Sequence, residues 1–253
     1  MKLIHTENYE AMSKEAADLL LDKLRKKPDA VICLATGSSP ARMYELVCEA
    51  VNRERIDLSE ITFVKLDEWY GVEPQAACTC TTFIREHLLD QLYMQPKAVV
   101  EFVSDAADIR QELDRMDVFL SEHPIDVMIL GLGMNGHLGL NEPSDFLTLN
   151  AHYAELDEKT KTHDMVKGYE PKGGLTIGLQ GIFTSGQIIM LVCGDRKEAA
   201  YQAFMSQRIA TSTPASLLWL HPTALRWWMI PYRNNFLYCY CDKVMITKWR
   251  GVD

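Results

Sequence analysis

The sequence has no apolar segment approaching the roughly 18 residues that would span a membrane, since its apolar runs, such as residues 188–193, are far shorter. Residues 1–7 lack the apolar core and the small-residue cleavage site of a secretory signal. The chain also has no Gly/Ser-rich linker, no low-complexity tract and no internal repeat. We therefore expect a cytoplasmic protein with no membrane partner, folded as a single domain over residues 1–253.

Basic residues are in deficit, with 26 Lys and Arg against 35 Asp and Glu and a net charge of −9. Nucleic acid is therefore excluded as the main partner, because phosphate backbones require clustered cations. A small phosphorylated ligand stays possible, because it needs only one or two cations and some backbone amides.

The seven cysteines are an odd number and include two Cys-x-Cys pairs, at 78/80 and at 239/241. A one-residue gap differs from the usual spacing of zinc ligands. We expect reduced thiols and no metal site.

Short runs rich in Val, Ile and Leu recur at 30–35, 61–66, 125–130 and 187–192, and a polar or Gly-rich loop follows each run. Helical periodicity follows the first of these loops. This alternation predicts an α/β fold with an open, mostly parallel, Rossmann-like sheet and helices on both faces. The loops should then meet at one edge of the sheet, where such folds bind ligands.

Two of these loops have the composition of an anion site. The motif Thr36-Gly37-Ser38-Ser39, followed by Pro40, offers backbone N–H groups, hydroxyls and the positive end of a helix. It is shorter than a Walker A motif, so a nucleoside triphosphate is not expected. An ordinary strand-to-helix turn is the alternative.

Lys197 closes a Gly-Asp-Arg-Lys sequence directly after another predicted strand. This position favours anion binding, and a surface cation on a helix is the alternative.

Residues 131–136 match the dinucleotide pattern G-x-G-x-x-G, but Gly139 and Pro143 occupy positions where the following helix should run. We interpret the segment as a catalytic loop, with a nicotinamide dinucleotide as a weak alternative and no cofactor expected. Within it, His137 and Glu142 are close enough for the carboxylate to fix the imidazole tautomer. The alternative is a histidine that only caps a turn.

Asp67 and Glu68 directly follow a strand whose other residues are largely apolar. A carboxylate at the edge of a sheet is partly shielded from water, and a raised pKa there suits a general base. A solvated turn is the alternative.

The order of these motifs resembles the glucosamine-6-phosphate deaminase/isomerase family over about residues 30–221. It runs from Thr-Gly-Ser-Ser-Pro through Leu-Asp-Glu-Trp and Gly-His-Leu-Gly-Leu-Asn-Glu-Pro to Leu-Thr-Ile-Gly-Leu and Gly-Asp-Arg-Lys. The related 6-phosphogluconolactonases share the fold and the Gly-His pair but typically lack the Asn-Glu-Pro. Residues 64–69 and 214–221 look closest to the galactosamine-6-phosphate branch.

The resemblance implies isomerisation of an amino-sugar phosphate with loss of ammonia, without metal or cofactor. It implies that Asp67 moves the C2 proton to C1 through an enolamine and that His137, oriented by Glu142, opens the sugar ring. The product would be tagatose 6-phosphate from galactosamine 6-phosphate, or fructose 6-phosphate from glucosamine 6-phosphate. The phosphate would lie against Thr36, Gly37, Ser38, Ser39 and Lys197.

The chain departs from the family at three places. Asn135 replaces a common Asp next to the catalytic histidine, so the orientation of that histidine depends on Glu142. His163 or Asp164 stands near the place of an arginine that helps to hold phosphate. The basic run of the allosteric site is replaced by residues 144–149, which predicts no activation by an N-acetylated sugar phosphate.

The alternative functions are a 6-phosphogluconolactonase-type hydrolase and a non-catalytic sugar-phosphate sensor. The aromatic-rich residues 227–230 and 235–240 predict a last strand with a packed segment, and the alternative is an interface of a homo-oligomer.

Overall fold

A computed structural model describes residues 2–221 and 226–229. The strands are β1 Lys2–His5, β2 Val31–Leu34, β3 Thr62–Lys65, β4 Asp67–Tyr70, β5 Ala98–Val100, β6 Val127–Gly131, β7 His152–Ala154, β8 Gly173–Thr176, β9 Ile188–Val192 and β10 Arg226–Met229. The helices are α1 Tyr9–Lys26, α2 Ser38–Glu54, α3 Cys80–His87, α4 Ile109–Glu122, α5 Glu158–Lys161, α6 Leu179–Phe183 and α7 Glu198–Met205. Short 3₁₀ turns occupy Leu89–Gln91, Asp164–Val166, Asp195–Lys197 and Pro214–Leu220.

The main sheet has seven strands, all parallel, in the order β1-β10-β9-β6-β2-β3-β5. After β2 the chain builds outward through β3 and β5, then returns to place β6 on the other side of β2. The order of the strands therefore reverses between β2 and β6, and the crevice beyond the carboxyl ends there is the expected ligand position. The predicted mostly parallel α/β sheet is confirmed.

The central strands are buried on both faces. Every residue of β9 and all of β6 except Gly131 are buried, as their continuous Val, Ile and Leu content favours. Helices α1 and α2 pack against each other and contact β9. Each fully buried Leu, Ile or Met side chain in this core stabilises the fold by about 1.5–3 kcal/mol, so the sheet is a rigid support for the loops at its edge.

A second sheet, which the sequence analysis did not predict, has three antiparallel strands in the order β4-β8-β7. It begins immediately after β3, so Asp67 is the first residue of a strand rather than part of a loop, and it pairs with Thr176. Trp69 and Leu140 belong to a separate apolar cluster beside this sheet. The second sheet thereby fixes the backbone of Asp67 at the edge of the main sheet.

None of the helices in the described part of the chain is both long and apolar enough to cross a membrane. The five cysteines at 33, 48, 78, 80 and 193 are free thiols. No group of three or more His, Cys, Asp or Glu suited to a metal ion occurs among residues 2–221 and 226–229. The second Cys-x-Cys pair, residue 230 and the aromatic segment at 235–240 lie outside the described residues, whereas residues 226–229 form the strand β10.

Candidate active site

A cavity of about 420 Å³ lies beyond the carboxyl ends of β2, β3, β6 and β9, which are neighbours in the sheet. Most of the residues singled out from the sequence line it together: Thr36, Gly37, Ser38, Ser39, Asp67, His137, His163 and Lys197. Asn135 and Glu142 are not part of the lining and contact His137 instead. The structure thus brings the predicted residues to one place.

The start of α2 forms one part of the cavity lining. This part, with Gly37, Ser38, Ser39 and Lys197, is called the anion end below because it offers donors and a cation. Gly37 precedes the helix with φ +98°, a conformation that side chains other than glycine's strongly disfavour. The first N–H groups of the helix have no partner within it and point out of its N-terminus. The Ser39 hydroxyl lies 3.3 Å from the Cys193 thiol. Tyr9 fixes this turn, because its hydroxyl donates to the Ser38 carbonyl at 2.6 Å. Backbone donors and hydroxyls are available here for a phosphate.

Lys197 reaches the same end of the cavity from the turn after β9. Its ammonium donates a hydrogen bond to the Leu132 carbonyl. Burial lowers the pKa of Lys197 to about 8, and Arg196 adds to the effect. Lys197 therefore carries most, but not all, of a positive charge near neutral pH.

His163 faces the glycine of this anion end. A Cβ added to Gly37 would lie 3.7 Å from both Cε1 and Nε2 of the His163 ring. The Met165 N–H donates to His163 Nδ1 at 3.3 Å, which leaves the ring proton on Nε2. Burial, with Lys197 next, lowers the pKa of His163 to about 4. This imidazole is thus a neutral donor and supplies no charge.

Elsewhere in the lining, Asp67 is a buried carboxylate with only 9% of its surface exposed. Burial, and then the charge of Glu68, raises the pKa of Asp67 to about 6. The Cys80 thiol lies 3.7 Å from Asp67 Oδ1 and 3.3 Å from the Thr36 hydroxyl. A carboxylate with this pKa is mostly ionised at neutral pH and still returns a proton readily, as a general base must.

An ion pair that the sequence analysis missed lies beneath Asp67. Lys65 donates to Glu68 Oε2 at 2.6 Å, and both side chains are at most 1% exposed. Backbone N–H groups of Trp69, Cys80 and Thr81 donate to the same carboxylate at 2.8, 2.8 and 3.0 Å. The signal in the sequence is a lysine inside an otherwise apolar strand, since a buried lysine requires a partner.

His137 is held from behind by a carboxylate, as its spacing from Glu142 predicted. His137 Nδ1 lies 3.1 Å from Glu142 Oε2, and the Asn135 amide donates to that same oxygen at 2.7 Å. Burial would raise the Glu142 pKa, but hydrogen bonds from His137, Thr160 and Asn135 together lower it. An ionised Glu142 accepts a hydrogen bond from the Nδ1–H of His137, so Nε2 is the nitrogen left to exchange protons.

Glycines allow the backbone of the loop that carries His137 to pack closely. A Cβ on Gly133 would lie 2.1 Å from the His137 ring, and Gly136 and Gly139 have φ of +88° and +58°. The loop continues without a helix through residue 150. The G-x-G-x-x-G pattern therefore reflects close packing within this loop and not a dinucleotide fingerprint.

Residues 5–227 match the family described as glucosamine-6-phosphate isomerases/6-phosphogluconolactonase. AgaI of Escherichia coli (strain K12), named provisionally as a deaminase, is 38% identical over 222 residues, which are 87% of this chain and 88% of AgaI. The glucosamine-6-phosphate deaminase of Halothermothrix orenii is 34% identical over 88% of this chain and 94% of its own. A solved monomeric glucosamine-6-phosphate deaminase superposes with a TM-score of 0.85 at 28% identity, covering 91% and 97% of the two chains.

Proposed function

Because the chain belongs to the glucosamine-6-phosphate isomerase/6-phosphogluconolactonase family, we propose that it is an amino-sugar phosphate deaminase that releases ammonia as it isomerises an aldose to a ketose. The observation that carries the proposal is the buried Asp67, with a pKa of about 6, lining the same cavity as His137. Proton abstraction from carbon needs such a base. The Asn-Glu-Pro sequence at 141–143, which the related lactonases typically lack, supports deamination over hydrolysis of a lactone.

In the proposed mechanism, His137 Nε2 moves a proton from the C1 hydroxyl to the ring oxygen, which opens the sugar. Glu142 supports this step, because it stabilises the imidazole while the proton is on it. The open chain then has an aldehyde at C1 and an amine at C2.

Asp67 next removes the C2 proton, giving an enolamine, and returns it to C1. The result is an imine at C2, which water converts to a ketone as ammonia leaves. The pKa of Asp67, near 6, is close to the optimum for both halves of this transfer. The Cys80 thiol orients the carboxylate through Oδ1.

For the substrate, we propose galactosamine 6-phosphate, with tagatose 6-phosphate as product. The sequences at 64–69 and 214–221, which resemble the galactosamine-6-phosphate branch, support this choice over glucosamine 6-phosphate and fructose 6-phosphate. The 38% identity to AgaI supports the deaminase activity itself. The phosphate is proposed to bind at the N-terminus of α2, where Ser38, Ser39 and Lys197 line the cavity.

The test is ammonia release from galactosamine 6-phosphate and glucosamine 6-phosphate in parallel, with Asp67→Asn as the negative control. We expect release that prefers the galacto sugar and falls by about 10³-fold or more in the variant. Release from neither sugar, together with hydrolysis of 6-phosphogluconolactone, would overturn the proposal. A preference for the glucosamine ester would overturn only the choice of substrate.

A further inference from the structure

The anion end of the cavity is short of positive charge for a phosphate dianion. His163 is neutral, and Lys197, with a pKa of about 8, is incompletely charged at neutral pH. A phosphate monoester carries close to two negative charges under the same conditions. A second cation beside Lys197 would therefore match the charge of the dianion more closely.

Arg196 is placed to supply that charge. It lines the cavity beside Lys197, in the turn Asp195–Lys197 that follows β9. It is also near the cavity-facing imidazole, since its charge contributes to the lowered pKa of His163. A guanidinium stays protonated at all relevant pH values and binds phosphate with two parallel hydrogen bonds.

Arg196 pairs with Asp164, which also lines the cavity. Asp164 directly follows His163 and begins the turn Asp164–Val166. The two side chains are 59% and 74% exposed. An exposed ion pair of this kind contributes little to stability, so exchange of Asp164 for a phosphate costs little.

We propose that Arg196 is a phosphate ligand of this site and exchanges Asp164 for the phosphate when the sugar phosphate binds. Asp164 is then a competitor that keeps the guanidinium at the mouth of the empty cavity. The inference rests on the proposed function only in taking a phosphorylated sugar as the ligand. It assigns to Arg196 the second cation that the neutral His163 does not provide.

The test measures binding of galactosamine 6-phosphate and glucosamine 6-phosphate by titration calorimetry in an Asp67→Asn background, where turnover does not interfere. Adding Arg196→Gln should weaken binding about tenfold or more, and Arg196→Lys should restore part of it. Asp164→Asn should strengthen binding several-fold. Arg110→Gln, at an exposed position on α4 outside the cavity lining, is the matched control and should change nothing.

Unchanged affinity in Arg196→Gln, or weaker binding in Asp164→Asn, would overturn the inference. Ammonia release by the wild-type protein is measured separately. Absence of release with intact, Arg196-dependent binding would refute the proposed function and leave this inference standing. Absence of any binding to the Asp67→Asn protein, with ammonia release by the wild-type protein intact, would overturn this inference and leave the proposed function standing.

Discussion

Two parts of the cavity are built differently, the part around Asp67 and the anion end. Beneath Asp67, Lys65 and Glu68 are fully buried, and the Glu68 carboxylate accepts several hydrogen bonds. At the anion end, Arg196 and Asp164 are exposed and form an ion pair with each other. A base must keep one orientation and one pKa, whereas a phosphate has to enter and leave. The contrast predicts that the proposed reacting part is rigid and dry and that the proposed binding part is exchangeable. The following variants test this prediction.

The largest effect is expected from Lys65→Met, which leaves the buried Glu68 carboxylate without its cation. The free energy of unfolding should fall by about 3–5 kcal/mol, measured by urea denaturation. The double variant Lys65→Met/Glu68→Gln should recover much of the loss. Lys97→Met breaks an exposed pair with Glu60 and serves as the matched control, with a change below about 1 kcal/mol. Equal losses in the two single variants would contradict the contrast.

Asp67→Asn should make the protein more stable while it abolishes activity. The fold raises the pKa of Asp67 from 3.8 to about 6, so ionisation of Asp67 destabilises the fold progressively as pH rises between these values. The variant removes the charge and should gain up to about 3 kcal/mol at pH 8, with no gain below pH 4. Denaturation curves at both pH values measure this difference. A gain that does not depend on pH would refute the electrostatic cause.

Glu142→Gln keeps a hydrogen-bond acceptor for His137 but removes the negative charge. We expect kcat to fall about 100-fold with little change in KM. The imidazole carries an extra proton only during ring opening, so loss of the Glu142 charge destabilises that step and not substrate binding. Glu155→Gln changes an exposed carboxylate in the same part of the chain and should leave both constants unchanged. A rise in KM alone would assign Glu142 to substrate binding instead.

The smallest effect concerns pH at the anion end. Above pH 8 Lys197 loses its proton, so kcat/KM should fall about tenfold per pH unit through a rise in KM. Below pH 6, protonation of Asp67 should lower kcat/KM from the other side. Lys197→Arg should remove the alkaline limb and keep the acid limb. Loss of both limbs in that variant would mean that the two ends titrate together.

Much of this arrangement was predictable from the sequence because the parallel sheet determines where loops meet. Short apolar runs predicted the strands, and the residues that follow them, such as Thr36, Asp67 and His137, meet in one cavity. The spacing of His137 and Glu142 also predicted their contact, because a glycine-rich turn of that length closes on itself. Their catalytic roles stay predictions that the variants above test.

The second sheet and the ion pair beneath Asp67 were not predictable in the same way. Strand β4 has only four residues, Asp67–Tyr70, and its partner β8 lies more than 100 positions along the chain. Lysine is usually found at the surface. Lys65 is buried because it pairs with Glu68, whose carboxylate also accepts a hydrogen bond from the start of α3. Such features depend on contacts distant in sequence, which local periodicity does not contain.

The position of β10 between β1 and β9 has a consequence for the order in which the protein assembles during synthesis. Leu3 on the first strand pairs with Trp227, about 220 positions later, and β1 pairs with no other strand of the described chain. The strands that carry the cavity leave the ribosome well before β10 does. Until then β1 and β9 each present an open edge, which is where strand exchange between nascent chains begins. We therefore expect the central strands to pair first and β10 to insert between β1 and β9 late.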